Sequence, residues 1–205
     1  MRFIFRNHPA LCGAILVLSA LGLGACSPTT VAVTAGAKTA TAAQQEKGFG
    51  QAVSDTKIRI EINHLWLQAD EELFREVGLQ VEEGRVLLTG TVPEPEDRLE
   101  AVRLAWQATG VTEVINEIRI DDTDTVSDFA RDTWITAQIE AKLLFDSEVL
   151  SINYSVETVN QTVFLMGVSQ DQAEMNRAVG HAKDVAHVYR VISYLRLKDD
   201  PARVD

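Results

Sequence analysis

Val163-Phe164-Leu165-Met166-Gly167 repeats, 77 residues further on, the pattern of Val86-Leu87-Leu88-Thr89-Gly90, and the match runs without a gap far to either side. Asp55-Thr56 falls on Asp132-Thr133, Ile58 and Ile62 on Ile135 and Ile139, Leu67 on Leu144, and Leu73 on Leu150. Beyond the glycine, Ala101-Val102 falls on Ala178-Val179, Val111 on Val188, and Val114 on Val191. A register kept through segments of both helical and strand periodicity is the mark of a duplicated unit.

Each copy reads α-β-β-α-β. The first helix is expected to begin at Asp55 or Asp132, whose carboxylates suit an N-cap. Apolar residues at i, i+4 and i+8 then form its core stripe: Ile58, Ile62 and Trp66, and Ile135, Ile139 and Leu143. Alternating strands follow, Val77-Leu79-Val81 with Val86-Leu88, and Tyr154-Val156 with Val163-Leu165, joined by short polar turns such as Glu82-Glu83-Gly84-Arg85. Gly90 and Gly167 read as bulges or as points of close backbone approach. Pro93 and Pro95 suit the entry to a second helix running to about Thr109, matched by Gln172 to Val185. A final strand, Val111 to Ile120 or His187 to Leu197, completes the unit. The fold class is therefore α+β, two tandem αββαβ units at 54–122 and 131–199, each a three-stranded mixed sheet packed against two helices. Asp121-Asp122-Thr123-Asp124-Thr125 between them is short and polar, so the units are expected to pack together.

The amino terminus reads differently. Arg2 and Arg6 precede an apolar run from Ala10 to Leu23, and Leu23-Gly24-Ala25-Cys26 ends it with small residues before a cysteine. This arrangement resembles the bacterial lipobox. The resemblance implies a signal peptide over 1–25, cleavage before Cys26, and acyl chains on Cys26. An ordinary secretory signal cut nearby and an uncleaved membrane helix are the other readings of the run, which falls short of the ~20 residues that span a bilayer. Each buried methylene contributes about 0.8 kcal/mol, so two or more acyl chains anchor stably where one does not. Residues 26–53, rich in Ala, Thr, Gly and Gln, are expected to be a flexible tether with an r.m.s. span of roughly 30 Å.

Composition narrows the function. The formal charge is −11, and loss of residues 1–25 would remove Arg2 and Arg6 but no acid. An acidic surface argues against nucleic acid, whose binding depends on Lys and Arg displacing counterions. Cys12 lies in the signal and Cys26 is the acylation candidate, so no disulfide is expected. No cofactor, metal or catalytic set is expected either: outside the signal the histidines are His64, His181 and His187, with no Gly-rich phosphate loop and no Gly-x-Ser-x-Gly. His181 with Asp184 at i, i+3 reads as a surface pair rather than a base with its orienting acid, His64 as a boundary residue, and the acidic runs Asp70-Glu71-Glu72 and Asp121-Asp122 as solvated faces.

Comparing the copies singles out one residue. Trp134 aligns with Lys57 and lies off the centre of the core stripe, its face continuing through Gln138, Ala141 and Lys142. An indole there is either a packing residue between the units or an anchor at a membrane interface, where an apolar ring with one hydrated N–H is favoured.

The duplicated pattern resembles the BON domain of bacterial envelope proteins. The resemblance rests on Ile58, Leu88-Thr89-Gly90, Val102, Ala105, Gly110-Val111, Val114 and Asn116 in the first copy. In the second it rests on Asp132-Thr133-Trp134-Ile135-Thr136, Val163 to Gly167, Val179 and Val188. His187 departs from the pattern by replacing its glycine. Together with a lipobox, two such units resemble the outer-membrane lipoproteins that carry paired BON domains. That resemblance implies a non-enzymatic protein anchored at the outer membrane and facing the periplasm, which supports envelope integrity. It also implies that the first helix of the second unit contacts anionic phospholipid through Trp134, Gln138 and Lys142. Ser27, where an Asp would favour inner-membrane retention, agrees with outer-membrane sorting. The helix also carries Asp132, Glu140 and Asp146, so the basic patch of Arg131 and Lys142 is weak, each cation adding about 1 kcal/mol at an anionic surface. The competing expectation is a module that binds an envelope protein and is merely anchored at the membrane.

Overall fold

The computed structural model describes residues 48–121 and 126–203. The signal run, Cys26, most of the tether and most of the inter-unit segment lie outside the described residues. The described residues fall within one compact unit.

The first copy comprises α1 (Gly48–Ala69), a short α2 (Glu71–Glu76), β1 (Val77–Glu82), β2 (Arg85–Val92), α3 (Pro95–Ala105), β3 (Glu113–Asn116) and β4 (Arg119–Ile120). The second comprises α4 (Val126–Phe145), a 3-10 turn (Ser151–Asn153), β5 (Tyr154–Val159), β6 (Thr162–Ser169), α5 (Gln172–Lys183) and β7 (Arg190–Leu197). In each sheet the hairpin strands pair antiparallel and the strand after the crossover helix joins the centre strand in parallel, which gives the mixed order edge, centre, edge, three strands in the second unit and four in the first, where the short β4 continues β3 along β2 in parallel.

The expected stripes are the cores. Ile58, Ile62 and Trp66 pack with Val81, Val86, Leu88, Ala101, Leu104 and Ala105, and Ile135, Ile139 and Leu143 with Val156, Val163, Leu165, Ala178 and Ala182. The Trp66 indole is fully buried, yet its N–H donates to the Ala101 carbonyl at 3.1 Å, so α1 is fastened to α3 without an orphaned donor.

Both first helices start earlier than their sequence suggests. Gly48 to Val53, read as tether, is the opening of α1, and Asp55 and Asp132 lie inside helices rather than at N-caps. Their carboxylates serve the hairpins instead. Asp55 accepts from the Glu83 and Gly84 N–H groups at 3.0 and 2.9 Å, and Asp132 from those of Asn160 and Gln161 at 2.6 and 2.9 Å. In both turns the central pair has positive φ, 54° and 73° for Glu83-Gly84 and 49° and 61° for Asn160-Gln161. This is the type I′ geometry that matches strand twist, and it presents two successive N–H groups to the helix. Asp70, read as part of a solvated run, is the N-cap of α2.

Gly90 and Gly167 are points of close approach. A Cβ on Gly90 would lie 2.2 Å from the Glu76 carbonyl oxygen and one on Gly167 2.0 Å from that of Asn153, at φ of 109° and 143°. The final strand of the first copy, expected to be continuous, is broken. Asn116 Oδ1 accepts from the Ile118 N–H at 3.1 Å, a local side-chain bond that competes with the ladder, and Ile118 turns into the core.

The units do pack together, through the sheet faces that carry no helix. Leu87, Phe164 and Met166 form a buried cluster flanked by Ile115, Val159, Ile192 and Tyr194. β2 and β6 are consequently buried on both faces, where alternation alone implied one. Several contacts across the boundary join equivalent positions of the two copies. Gln80 Nε2 donates to Glu157 Oε2 at 3.1 Å, the Tyr194 hydroxyl donates to Glu117, and Leu87 meets Phe164. Pairing of position i with i+77 makes the interface self-complementary, as in a two-fold dimer. At its edge the Glu113 carboxylate takes Arg85 Nε at 2.7 Å and Arg196 Nη2 at 3.2 Å, and Arg203 reaches back to the first unit's turn residue Glu83 at 2.6 Å.

Candidate functional site

Helix α4 carries three kinds of surface. Ile135, Ile139 and Leu143 are buried. At about 100° per residue, Trp134, Gln138, Ala141 and Phe145 share a second stripe, and Thr133, Thr136 and Glu140 a third on the other flank of the core. Trp134 and Gln138 are exposed and Lys142 is half-buried. The three residues singled out by sequence thus share one side of one helix.

Trp134 retains 45 % of its surface exposed and is not part of the cluster between the units. Its ring instead meets that of His187, centroids 6.1 Å apart and planes at 67°. The two residues that distinguish the second copy, Trp134 for Lys57 and His187 for Gly110, therefore touch. His187 keeps the left-handed conformation of the glycine it replaces, φ 70° against 99° at Gly110, a strained state for a non-glycine residue that costs of order 1–3 kcal/mol. The fold is unchanged, as the sequence comparison suggested, but the second copy gains an edge-to-face contact between imidazole and indole.

Three more large side chains are exposed near the ends of these segments: Leu144 and Phe145 at the end of α4, the latter 85 % exposed, and Tyr189 two residues beyond His187. Trp134 and Phe145 lie about 16 Å apart along the helix at 1.5 Å per residue. Trp134 stands out in the sequence whereas Leu144, Phe145 and Tyr189 do not, although the 11-residue spacing of Trp134 and Phe145 was available as a signal. The cations are few: Arg131 is engaged with Asp128 at 2.8 Å, while Arg190, next to Tyr189, is exposed.

His181 does not use Asp184. Its Nε2 lies 2.6 Å from Asp146 Oδ2 at the end of α4, while Asp184 is the C-cap of α5. The His181 hydrogen bond, followed by the Glu148 N–H, holds the Asp146 carboxyl below its ordinary range. His64 is exposed. Among the described residues no group of three His, Cys, Asp or Glu side chains is arranged to hold a metal, and no helix is long and apolar enough to cross a membrane.

A repeated αββαβ unit with an aromatic patch on one copy defines a class, and comparison with known families identifies it: the BON domain matches residues 54–122 and 131–199, and the chain belongs to that family. Among particular relatives, it is similar to the outer membrane lipoprotein DolP of Haemophilus influenzae, 29% identical over 189 residues that cover 91% of this chain and 95% of that protein. A protein from the gshII 5′ region of Anaplasma centrale is 45% identical over 152 residues, 74% of this chain and 99% of that protein. Osmotically-inducible protein Y of Escherichia coli is 31% identical over 151 residues, 73% and 75% of the two chains.

Proposed function

We propose that this is a non-enzymatic envelope lipoprotein, held at the outer membrane by acyl chains on Cys26 and facing the periplasm. In this reading α4 of the second unit touches anionic phospholipid through Trp134, Gln138 and Lys142, and the contact supports outer-membrane integrity. The observation that carries it is the half-exposed Trp134, kept out of the contact between the units and propped by His187 at a strained backbone position. Phe145 on the same helical stripe and Tyr189 beside His187 in the chain are also exposed, the side-chain chemistry that seats at a headgroup boundary. Similarity to a DolP lipoprotein over nearly the whole chain supports the location. With so few cations, affinity would come from insertion of the indole and from the local concentration that an anchor provides.

The test is titration of residues 41–205 with phosphatidylglycerol micelles, read by amide shifts. Shifts centred on α4 and on residues 187–190, abolished by Trp134→Glu, are the expected result. Shifts confined to the first copy, or unaltered in the variant, overturn the site. Intact mass of membrane-extracted protein tests the acylation of Cys26 separately.

A second reading, protein binding by a module only anchored at the membrane, is favoured by Leu99 on α3 and Trp106 at its C-cap, 66 % and 52 % exposed. They stand where the second copy has Asn176 and Lys183. Capture of a stoichiometric envelope protein by the anchor-less domain, lost on Trp106→Ala and accompanied by no vesicle binding, would support it over the first.

A further inference from the structure

On the flank of α4 away from Trp134, the two units enclose a cleft of about 780 Å³, a volume typical of small-molecule sites. Its lining includes Thr89 and Thr91 from β2 of the first unit, and Glu140, Glu157 and Phe129 from the second. Thr89 is 0 % exposed, and among the described residues neither the Thr89 nor the Thr91 hydroxyl has a hydrogen-bond partner. Buried hydroxyls left in this state are destabilising and uncommon. The scaffold does not require them: the equivalent positions of the second copy are Met166 and Val168, both buried and apolar.

Gly78, across the ladder from Thr89, makes room for the Thr89 side chain. A Cβ there would lie 2.4 Å from Thr89 Oγ1, and Glu157 Oε1 lies 3.8 Å from the same point, so a hydroxyl and a carboxylate converge on one spot. Acids dominate the lining, Glu76, Glu140 and Glu157 among them, against Arg75 as its base. We infer that this cleft binds a protonated primary amine. The ammonium group would donate to Thr89 Oγ1 and to Glu157, while its carbon chain lies along Phe129. An ammonium supplies three donors and no acceptor, which suits two hydroxyl oxygens and a surrounding excess of carboxylates. Burial pushes the Glu157 carboxyl above its ordinary range, and a neighbouring cation favours its ionised form.

The same group occurs on soluble polyamines and on the ethanolamine headgroup of a lipid, and the test separates them. Labelled residues 41–205 are titrated with spermidine, with dihexanoyl phosphatidylethanolamine micelles and with tetramethylammonium chloride, which carries the charge without donors. The expected result is saturable amide shifts at Gly78, Thr89, Gly90 and Thr91 with spermidine or with the micelles, the arm that saturates naming the source, and none with tetramethylammonium. Thr89→Val, near-isosteric and without the hydroxyl, is expected to weaken binding by about tenfold at a melting temperature no lower than the parent's, the loss of one charge-assisted hydrogen bond. Glu157→Gln weakens it at least as much. Trp134→Glu leaves it unchanged, so its outcome is independent of the lipid contact proposed above. Absence of saturation with both amines, equal shifts from tetramethylammonium, or indifference to Thr89→Val and Glu157→Gln overturns the inference.

Discussion

The first and second units bury the same positions and differ in what they leave at the surface. Ile58, Ile62, Val86 and Leu88 have apolar, buried counterparts in Ile135, Ile139, Val163 and Leu165, and Asp55 and Asp132 hold their hairpin turns alike. At the exposed positions, Lys57 and Gly110 correspond to Trp134 and His187, and Leu99 and Trp106 to Asn176 and Lys183, while on the buried side Thr89 and the half-buried Thr91 stand in place of the buried Met166 and Val168. One scaffold thus exposes apolar side chains on the first helix of one copy and at the second helix of the other. Close packing restrains core positions because a change of even one methylene is felt there, while a surface position can take on a new role at little expense in stability.

The comparison breaks most visibly at the close-approach glycines. Gly90→Ala and Gly167→Ala each drive a Cβ into a carbonyl oxygen at positive φ, and each is expected to destabilise by about 3 kcal/mol or more. Urea unfolding checks this. Because Leu87, Phe164 and Met166 bind the units together, both variants should shift a single transition. A separate early transition in either would show that the copies fold independently.

Removing the turn acceptors should have a smaller and matched effect. Asp55→Ala and Asp132→Ala each leave two N–H groups without their carboxylate, and each is expected to lose about 2 kcal/mol. Thermal denaturation of the pair measures how alike the two turns are, and a loss confined to one copy would mark the other helix-to-turn contact as redundant.

The contact of Gln80 with Glu157 offers a pH test at equivalent positions. Burial raises the Glu157 carboxyl above its ordinary value of 4.5, so folding favours its protonated form. Its contribution to stability is therefore complete below the unfolded value and is lost as pH rises through the folded one. Glu157→Gln is expected to be more stable than the parent at pH 7, with the difference closing near pH 4. Melting curves at the two pH values decide it, and a gap that widens on acidification contradicts the assignment.

The smallest expected change is the most specific to the second copy. His187→Gly restores the residue of the first copy at a left-handed position and should stabilise by about 1 kcal/mol. It also removes the ring against Trp134. Indole emission should shift to longer wavelength as hydration increases, and an unshifted spectrum would show that His187 does not hold Trp134.

Much of the fold was legible because its signals are local or repeated. The i, i+4, i+8 stripes, Pro95 at the first turn of α3 and the turn residues between hairpin strands each act over a few residues, and the copies reinforce one another. Reading Asp55 and Asp132 as N-caps failed because their partners lie 28 and 29 residues away, a distance at which no helix pattern reports. The expected unbroken strand in the first copy failed on one Asn116 side-chain bond. Trp134 was found by aligning the copies, but its exposure was not, since helical geometry placed it equally well for packing between the units. Phe145 and Tyr189 carry no motif and became visible only through their exposure.

The sequence by itself determined a duplicated αββαβ unit, its two cores and the absence of a recognisable catalytic motif, since hydrophobic periodicity follows from which face of each element must leave water. Only the tertiary structure decided that the helix-free sheet faces meet with equivalent positions opposed, that Trp134 stays at the surface against His187, and that Thr89 and Glu157 converge on one cleft. Those outcomes depend on contacts between segments 50 to 100 residues apart, and a repeat of period 77 specifies each unit without specifying which face it turns toward its twin.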